Sequence, residues 1–294
     1  MACASKHVSA FAFGTTWHHL SLCESTNDEL VRLGRTGVGA GTVVTADAQT
    51  RGRGRQGRAW HSPPGENLYL SVLLRPPLAP HRAPLLCLAA GLALFDAVTD
   101  LLSEHGGRDA VDLRLKWPND LLARTKTEAQ AGAPYRKLGG ILTELFGSAG
   151  SIDFVVIGVG CNVASRSFPS GVPGTSLELL YPPLSLAATP RAPLTRSLAE
   201  RFLAALAAWY ERYLSDGNEA ITAPFAAAAG LGPEHPLLRV QSGHEDTPRV
   251  GVPIGLGPAG ELLLQTATGI ERVLSGDVEM AAAMAHTESA PTQT

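Results

Sequence analysis

The sequence predicts an α+β protein, with a large first domain of strands and helices and a small C-terminal β-barrel. Three observations carry that expectation. The Ala/Leu-rich run from Pro84 to Leu102 opens with proline and closes before Gly106-Gly107, the asymmetry of a buried helix. The β-branched runs Gly41–Asp47 and Asn67–Leu74 are bounded by Gly or Pro, as strands are. After Gly232-Pro233 the pattern changes to short strands, Leu237–Gln241, Arg249–Leu256, Glu261–Thr266 and Ile270–Leu274, with a hairpin turn at Pro258-Ala259-Gly260.

The remaining elements follow in order. Ser25-Thr26-Asn27 precede a short helix in which Thr26 and Glu29 have capping-box spacing, and the helix ends near Gly34 or Gly37. Gln49 to Trp60 is too Gly-rich for a helix and too charged for a core, so it reads as a loop. Strands are expected around Leu113–Lys116, Leu138–Phe146 and Ile152–Val163, and the polar stretch Ala123–Arg136 as a mobile surface insertion. Thr195 to Leu214 carries Leu198, Phe202, Ala205, Leu206, Trp209 and Tyr213 at helical spacing, and Gly217 closes it. The domain boundaries are therefore 15–232 and 233–280, with flexible tails at 1–14 and 281–294.

Composition narrows the function. The 294 residues carry 24 Lys+Arg against 27 Asp+Glu, a net charge of −3, which argues against a dedicated nucleic-acid binder. With 45% hydrophobic and 17% charged residues the chain can bury a large core. Cys3, Cys23, Cys87 and Cys161 are widely spaced, without zinc-site or disulfide spacing, so a reducing cytoplasm is the expected compartment. No secretory signal is read at the N-terminus. The longest apolar run, Ala83–Phe95, falls short of the about 20 residues a bilayer needs. Only four of the cations are lysines: Lys6, Lys116, Lys126 and Lys137.

Gly52-Arg53-Gly54-Arg55-Gln56-Gly57 satisfies the dinucleotide-binding fingerprint, but no regular helix can open at Arg58-Ala59-Trp60-His61-Ser62-Pro63-Pro64 to receive a pyrophosphate. The Rossmann reading is rejected. The loop still suits an anion, because Arg51, Arg53, Arg55 and Arg58 crowd a backbone freed by glycine. A solvated basic loop, or a strand that touches nucleic acid, accounts for the same residues. Three further clusters stand near strand ends: Lys116-Trp117-Pro118-Asn119-Asp120, Lys137-Leu138-Gly139-Gly140-Ile141-Leu142-Thr143-Glu144, and Gly158-Val159-Gly160-Cys161-Asn162-Val163. Each alone is also explained by a structural turn or a packing glycine pair.

Taken together and in this order, these clusters resemble the biotin protein ligases over about residues 15–280. The resemblance implies a mixed β-sheet backed by helices, of the class II synthetase type, followed by an SH3-like barrel. It implies two steps: the biotin carboxylate attacks MgATP to give biotinyl-5′-AMP, and a lysine of a biotin carboxyl carrier domain then takes the biotinyl group. The carriers are those of acyl-CoA or pyruvate carboxylases, with no DNA or membrane partner.

Carried over, Ser25, Thr26, Asn27 and Gln49 bind the biotin ring, and Arg53, Gly54 and Arg55 lie over biotin and its acyl phosphate. Lys137 bridges the carboxylate and α-phosphate, and Gly140 lets biotin lie against its strand. Arg55, Arg58, Lys116, Asn119 and Asn162 serve ATP. Mg²⁺ comes mainly with the nucleotide, Asn162 being a possible ligand. Asp120 helps the acceptor lysine lose its proton, which makes Arg55, Lys137 and Asp120 the catalytic set. The short stretch before Ser25 leaves no room for the winged helix of the family's repressors. The alternatives are a lipoate or octanoate ligase or transferase of the same superfamily, a biotin sensor without turnover, and an RNA binder.

Overall fold

The computed structural model describes residues 13–280 except 149, 187–190 and 243–246. In chain order the elements are β1 (Thr16–Cys23), α1 (Thr26–Arg35), β2 (Thr42–Gln49), β3 (Leu68–Leu74), α2 (Pro84–Glu104), β4 (Val111–Lys116), β5 (Asp120–Thr125), α3 (Lys126–Gln130), β6 (Arg136–Ser148) and β7 (Ser151–Cys161). Then come α4 (Leu177–Leu180), α5 (Pro183–Leu186), α6 (Arg191–Asp216), α7 (Glu219–Ala229), β8 (Leu238–Gln241), β9 (Arg249–Leu256), β10 (Leu262–Thr266), β11 (Gly269–Val273) and β12 (Asp277–Met280). A seven-stranded sheet runs β1-β2-β3-β7-β6-β5-β4, with β1 parallel to β2 and every other pair antiparallel. The sheet is mixed, as expected.

Its two faces are covered differently. On one, α1 buries Leu30 against Val44, Leu73, Phe154 and Val156. Gly34 keeps that helix close, since a Cβ there would lie 2.8 Å from side-chain carbons of both Leu73 and Phe154. On the other face, α2 is enclosed by the sheet, α6 and α7. Its Leu85, Leu86, Leu94 and Leu101 have at most 1% exposure, so truncating one to alanine is expected to cost about 2–5 kcal/mol. Sequence reading measured only Ala83–Phe95. The helical span Pro80–Glu104 is long and apolar enough to cross a bilayer, but 72% of its most apolar window is buried inside the protein, as in a core helix.

Several expectations need correction. The Thr26–Glu29 capping box does not form: Ser25 is the N-cap residue, and the Thr26 amide donates to Gln49 Oε1 at 2.9 Å. A partner from another strand thus satisfies that donor. The expected mobile insertion 123–136 begins as strand β5 and continues as α3, which has a complete capping box between Thr125 and Glu128. Strand β1 and helix α7 have no counterpart in the expectations. Phe13 and Gly14, assigned to a tail, are packed: the Phe13 ring lies 5.8 Å from that of Tyr210, and Gly14 N donates to Gly41 O. The tails 1–12 and 281–294 lie outside the described residues.

The C-terminal strands form a separate antiparallel sheet in the order β11-β10-β9-β8-β12, so the last strand returns to pair with the first. The expected turn joins β9 to β10, and Gly260 in it has φ +83°. A Cβ at Gly260 would lie 2.9 Å from Leu88 of α2, so glycine lets the turn dock on that helix. Trp117 Nε1 donates to Gly260 O at 2.9 Å, and Leu238, Val240, Leu262 and Leu264 join the core that contains α2. One apolar core therefore runs beneath both sheets.

Candidate active site

A cleft of about 420 Å³ opens above the ends of β2, β6 and β7, and every residue given a binding or catalytic role from sequence lines it, whereas Arg51 of the same loop does not. That volume suits a small-molecule ligand. At one end lie Ser25, Thr26, Asn27 and Gln49. Thr26 N and Oγ1 both donate to Gln49 Oε1, at 2.9 and 3.2 Å, and Gln49 Nε2 donates to Ser62 Oγ at 3.0 Å. Ser71, fully buried on β3, has its Oγ 2.8 Å from Thr26 Oγ1 and 2.6 Å from Asn27 Oδ1, with one hydroxyl proton to donate between them. Asn27 Nδ2 donates to Glu144 Oε2 at 2.6 Å. The result is a preorganised polar pocket suited to a small ligand rich in N–H and C=O groups.

Glycines bring the strands close to these side chains. A Cβ on Gly158 would fall 2.9 Å from Asn27 Cγ and nearer still to Oδ1. A Cβ on Gly160 would fall 2.6 Å from Trp60 Nε1, so the indole lies flat on β7. A Cβ on Gly140 would lie 3.4 Å from the same ring.

The Arg-Gly loop folds back on itself through a bridge between Arg53 and Ala59, with Gln56 at φ +56° in a short turn. No regular helix follows, in keeping with the rejected dinucleotide fingerprint. Its arginines are handled unequally. Arg51 pairs with Glu24 at 3.0 Å, Arg53 with Asp28 at 2.5 Å and Glu144 at 3.1 Å, and Arg58 with Asp277 of the small sheet at 2.5 Å. Arg55 Nη1 instead donates to the amide oxygen Asn119 Oδ1 at 3.3 Å. Among the described residues it is the loop arginine with no carboxylate partner, and its charge is least neutralised by the protein. Arg53, expected to lie over a ligand, lines the cleft with its guanidinium paired to Asp28 and Glu144. The hydrogen bond with Asp28, above all, holds its guanidinium pKa higher than usual, against the cost of burial.

At the other end, β4 turns into β5 through Lys116-Trp117-Pro118-Asn119, with a cis bond before Pro118. Asn119 Nδ2 donates to Ile141 O at 2.9 Å, tying the turn to β6. Lys137 Nζ lies 2.7 Å from Asp120 Oδ1 and 5.3 Å from the Trp60 ring centre, a compact cation held between a carboxylate and a π-face. Asn162 gives Nδ2 to Thr175 O at 3.0 Å. The Lys137 backbone is held on both sides, its amide donating to Pro173 O and its carbonyl accepting from Thr175 N.

Sequence reasoning missed Ser62, Ser71, Asp28 and Asp277, and quoted Trp60 and Glu144 without giving them a role. Ser71 and Asp277 carried no local signal, whereas Glu144 stood inside a quoted motif. The cleft has no activated thiol: Cys87, behind the Trp117-Pro118 turn, is pushed up to about 11, chiefly by burial, and Cys161 to about 12 by burial. Among the described residues no group of three His, Cys, Asp or Glu could hold a metal.

Fold and cleft together are those of a class of protein ligases, the Biotin/lipoate A/B protein ligase family, whose pattern the chain matches over residues 20–162. The biotin--[acetyl-CoA-carboxylase] ligase of Mycobacterium tuberculosis is 32% identical over 272 residues, 90% of each chain. The bifunctional ligase/repressor BirA of Bacillus subtilis is 31% identical over 258 residues, 87% of this chain and 71% of that protein. The biotin protein ligase from Aquifex aeolicus in complex with biotin and ATP superimposes with a TM-score of 0.67 at 25% identity, covering 91% of this chain and 99% of that one. The chain belongs to the biotin protein ligases of this family.

Proposed function

We propose that the protein ligates biotin to a lysine of a carrier domain in two ATP-dependent steps. The reading is carried by one observation: the polar pocket of Ser25, Thr26, Asn27 and Gln49 opens into the same cleft as Arg55 and Lys137. A neutral urea-like ring fits the first end, and a carboxylate meeting a phosphate fits the second. The relatives named above support it.

In the first step a biotin carboxylate oxygen attacks the α-phosphorus of ATP, and the bond to the β-phosphate breaks to release pyrophosphate. Both reactants are anions, so the barrier is one of charge and alignment. Lys137 supplies a point charge, and Arg55 spreads its charge over the loop above. At an effective dielectric near 20, each cation about 4 Å from an anion contributes roughly 4 kcal/mol. Lys116 and Arg58 lie towards the departing phosphates, and Asn119 and Asn162 on the nucleotide side.

In the second step the amine of the carrier lysine attacks the acyl carbon and AMP leaves with the bonding electrons. The amine must first lose a proton, and Asp120, beside Lys137, receives it. Mg²⁺, carried by ATP, neutralises phosphate charge when bound. The cleft offers amide oxygens of Asn119 and Asn162 rather than a carboxylate cage, which suits a metal that arrives on its phosphates.

Residues 15–232 act as the catalytic domain, and 233–280 as an SH3-like unit that closes one side of the cleft. The carrier domains belong to acyl-CoA or pyruvate carboxylases of the cytoplasm, and the reading includes no DNA or membrane partner. The test is the intact mass of a carrier domain incubated with the protein, biotin and MgATP. A gain of one biotinyl group is expected, abolished by replacing the acceptor lysine. A cognate carrier that gains biotin no faster than without protein would overturn the proposal.

A further inference from the structure

Glu144 stands on β6, seven residues beyond Lys137, and holds two groups that no single stretch of sequence connects. Its Oε2 accepts from Asn27 Nδ2 at 2.6 Å, and its Oε1 from Arg53 Nη2 at 3.1 Å. Its side chain is only 28% exposed. A carboxylate only accepts, so it forces Asn27 to turn its NH₂ group towards β6 and its Oδ1 towards Ser71, which donates at 2.6 Å. Leu142 O, on the same strand, lies 3.5 Å from Asn27 Nδ2 and favours the same orientation. Arg53 closes the arrangement from the loop side by reaching Asp28 as well as Glu144. The first turn of α1, strand β6 and the start of the Arg-Gly loop thus share one charged junction.

We infer that Glu144 is a positioning residue that latches the Arg-Gly loop through Arg53 and fixes the side-chain orientation of Asn27, so that pocket wall and loop act as one unit. The inference rests on the proposed biotin reaction for its kinetic consequence, and on the junction alone for its effect on the loop. Arg53 accordingly works as the latch arm. Arg55, two residues on, is left for the anionic reactants. A carboxylate suits this point because its two oxygens accept from the amide and the guanidinium at once, and its charge strengthens both bonds.

The test uses the full chain with Glu144→Gln, which keeps the shape and an acceptor oxygen but removes the charge. Hydrogen exchange of the loop 49–60 in ligand-free protein is expected to speed up about tenfold, with the exchange of α2 unchanged. In biotin-dependent pyrophosphate exchange the KM for biotin should rise about tenfold, with the KM for ATP within twofold of wild type. Arg53→Gln, which also gives up Asp28, should speed loop exchange at least as much, and the double variant should be no faster than Arg53→Gln alone, since the Glu144–Arg53 contact is already absent there. Unchanged loop exchange in Glu144→Gln, additive effects in the double variant, or a rise in the KM for ATP matching that for biotin would each overturn the latch. The exchange measurement needs no substrate, so a wild-type protein that did not turn over biotin would count against the proposed function and leave the latch to be judged on exchange.

Discussion

Gly158→Ala tests whether the pocket depends on the contact between α1 and β7. The added methyl would fall 2.9 Å from Asn27 Cγ, 3.0 Å from Nδ2 and closer to Oδ1, and Asn27 is only 3% exposed. Asn27 would have to leave, giving up its bonds to Ser71 and Glu144. Overpacking costs about 1–3 kcal/mol. A lost neutral hydrogen bond costs about 1 kcal/mol, and one to a charged group about 1.5–3. These terms overlap, since side-chain movement relieves the clash, so the expected loss is about 3 kcal/mol. The assay is urea unfolding of wild type, Gly158→Ala, Asn27→Ala and the double variant. In the Asn27→Ala background the clash has no partner, and Gly158→Ala should then cost less than about 1 kcal/mol, a coupling of about 2 kcal/mol. Equal costs in the two backgrounds would refute the reasoning, because the clash with Asn27 would then not be what glycine avoids.

The other predictions concern charge. Lys137→Arg should slow adenylate formation at least tenfold, about 1.4 kcal/mol in the barrier, because a planar fork cannot occupy the place of a point charge between Asp120 and Trp60; pyrophosphate exchange at the wild-type rate would contradict this. Arg55→Ala should lose at least tenfold in the same assay, whereas Arg51→Ala, paired outside the cleft with Glu24, should stay within twofold. Burial works to raise the Asp112 carboxyl pKa, but hydrogen bonds from Tyr135 and Arg124, with Lys126 nearby, outweigh it and hold it below the usual carboxylate value. Its contribution is therefore complete above the unfolded value of about 3.9 and is lost as pH falls through the lower folded value. Asp112→Asn should be less stable than wild type at pH 7, and the gap should narrow as pH falls below the ordinary carboxylate range; a gap undiminished in acid would refute the electrostatic account.

Elements with a strong local pattern were legible. Helix α2 announces itself by its apolar run between proline and glycine, and β9 falls where its Val and Ile residues put it. Strand β1 was missed because it is a sheet edge that carries Trp17, His18 and His19 and is exposed at most positions, so it lacks a buried alternating face. Strand β5 begins at Asp120, inside a motif that reads as a turn, and the Thr125–Glu128 capping box that follows was overlooked in a polar stretch. Helix α7 contains Pro224, which disguises it.

The order of motifs along the chain was enough to bring the Ser-Thr-Asn, Arg-Gly, Lys-Trp-Pro-Asn-Asp, Lys-Leu-Gly-Gly and Gly-Val-Gly clusters to one expected site and to assign the family. The near-neutral charge was also plain from sequence, but the pairing that produces it locally was not. Only the folded chain decides that Arg53 meets Glu144, 91 residues away, that Arg58 meets Asp277, 219 residues away, and that Arg55 meets an amide instead. Propensity and turn chemistry are set by neighbours along the chain. The partners of a charge are set by which strands and turns the packing of α2 and the two sheets brings within a few ångströms.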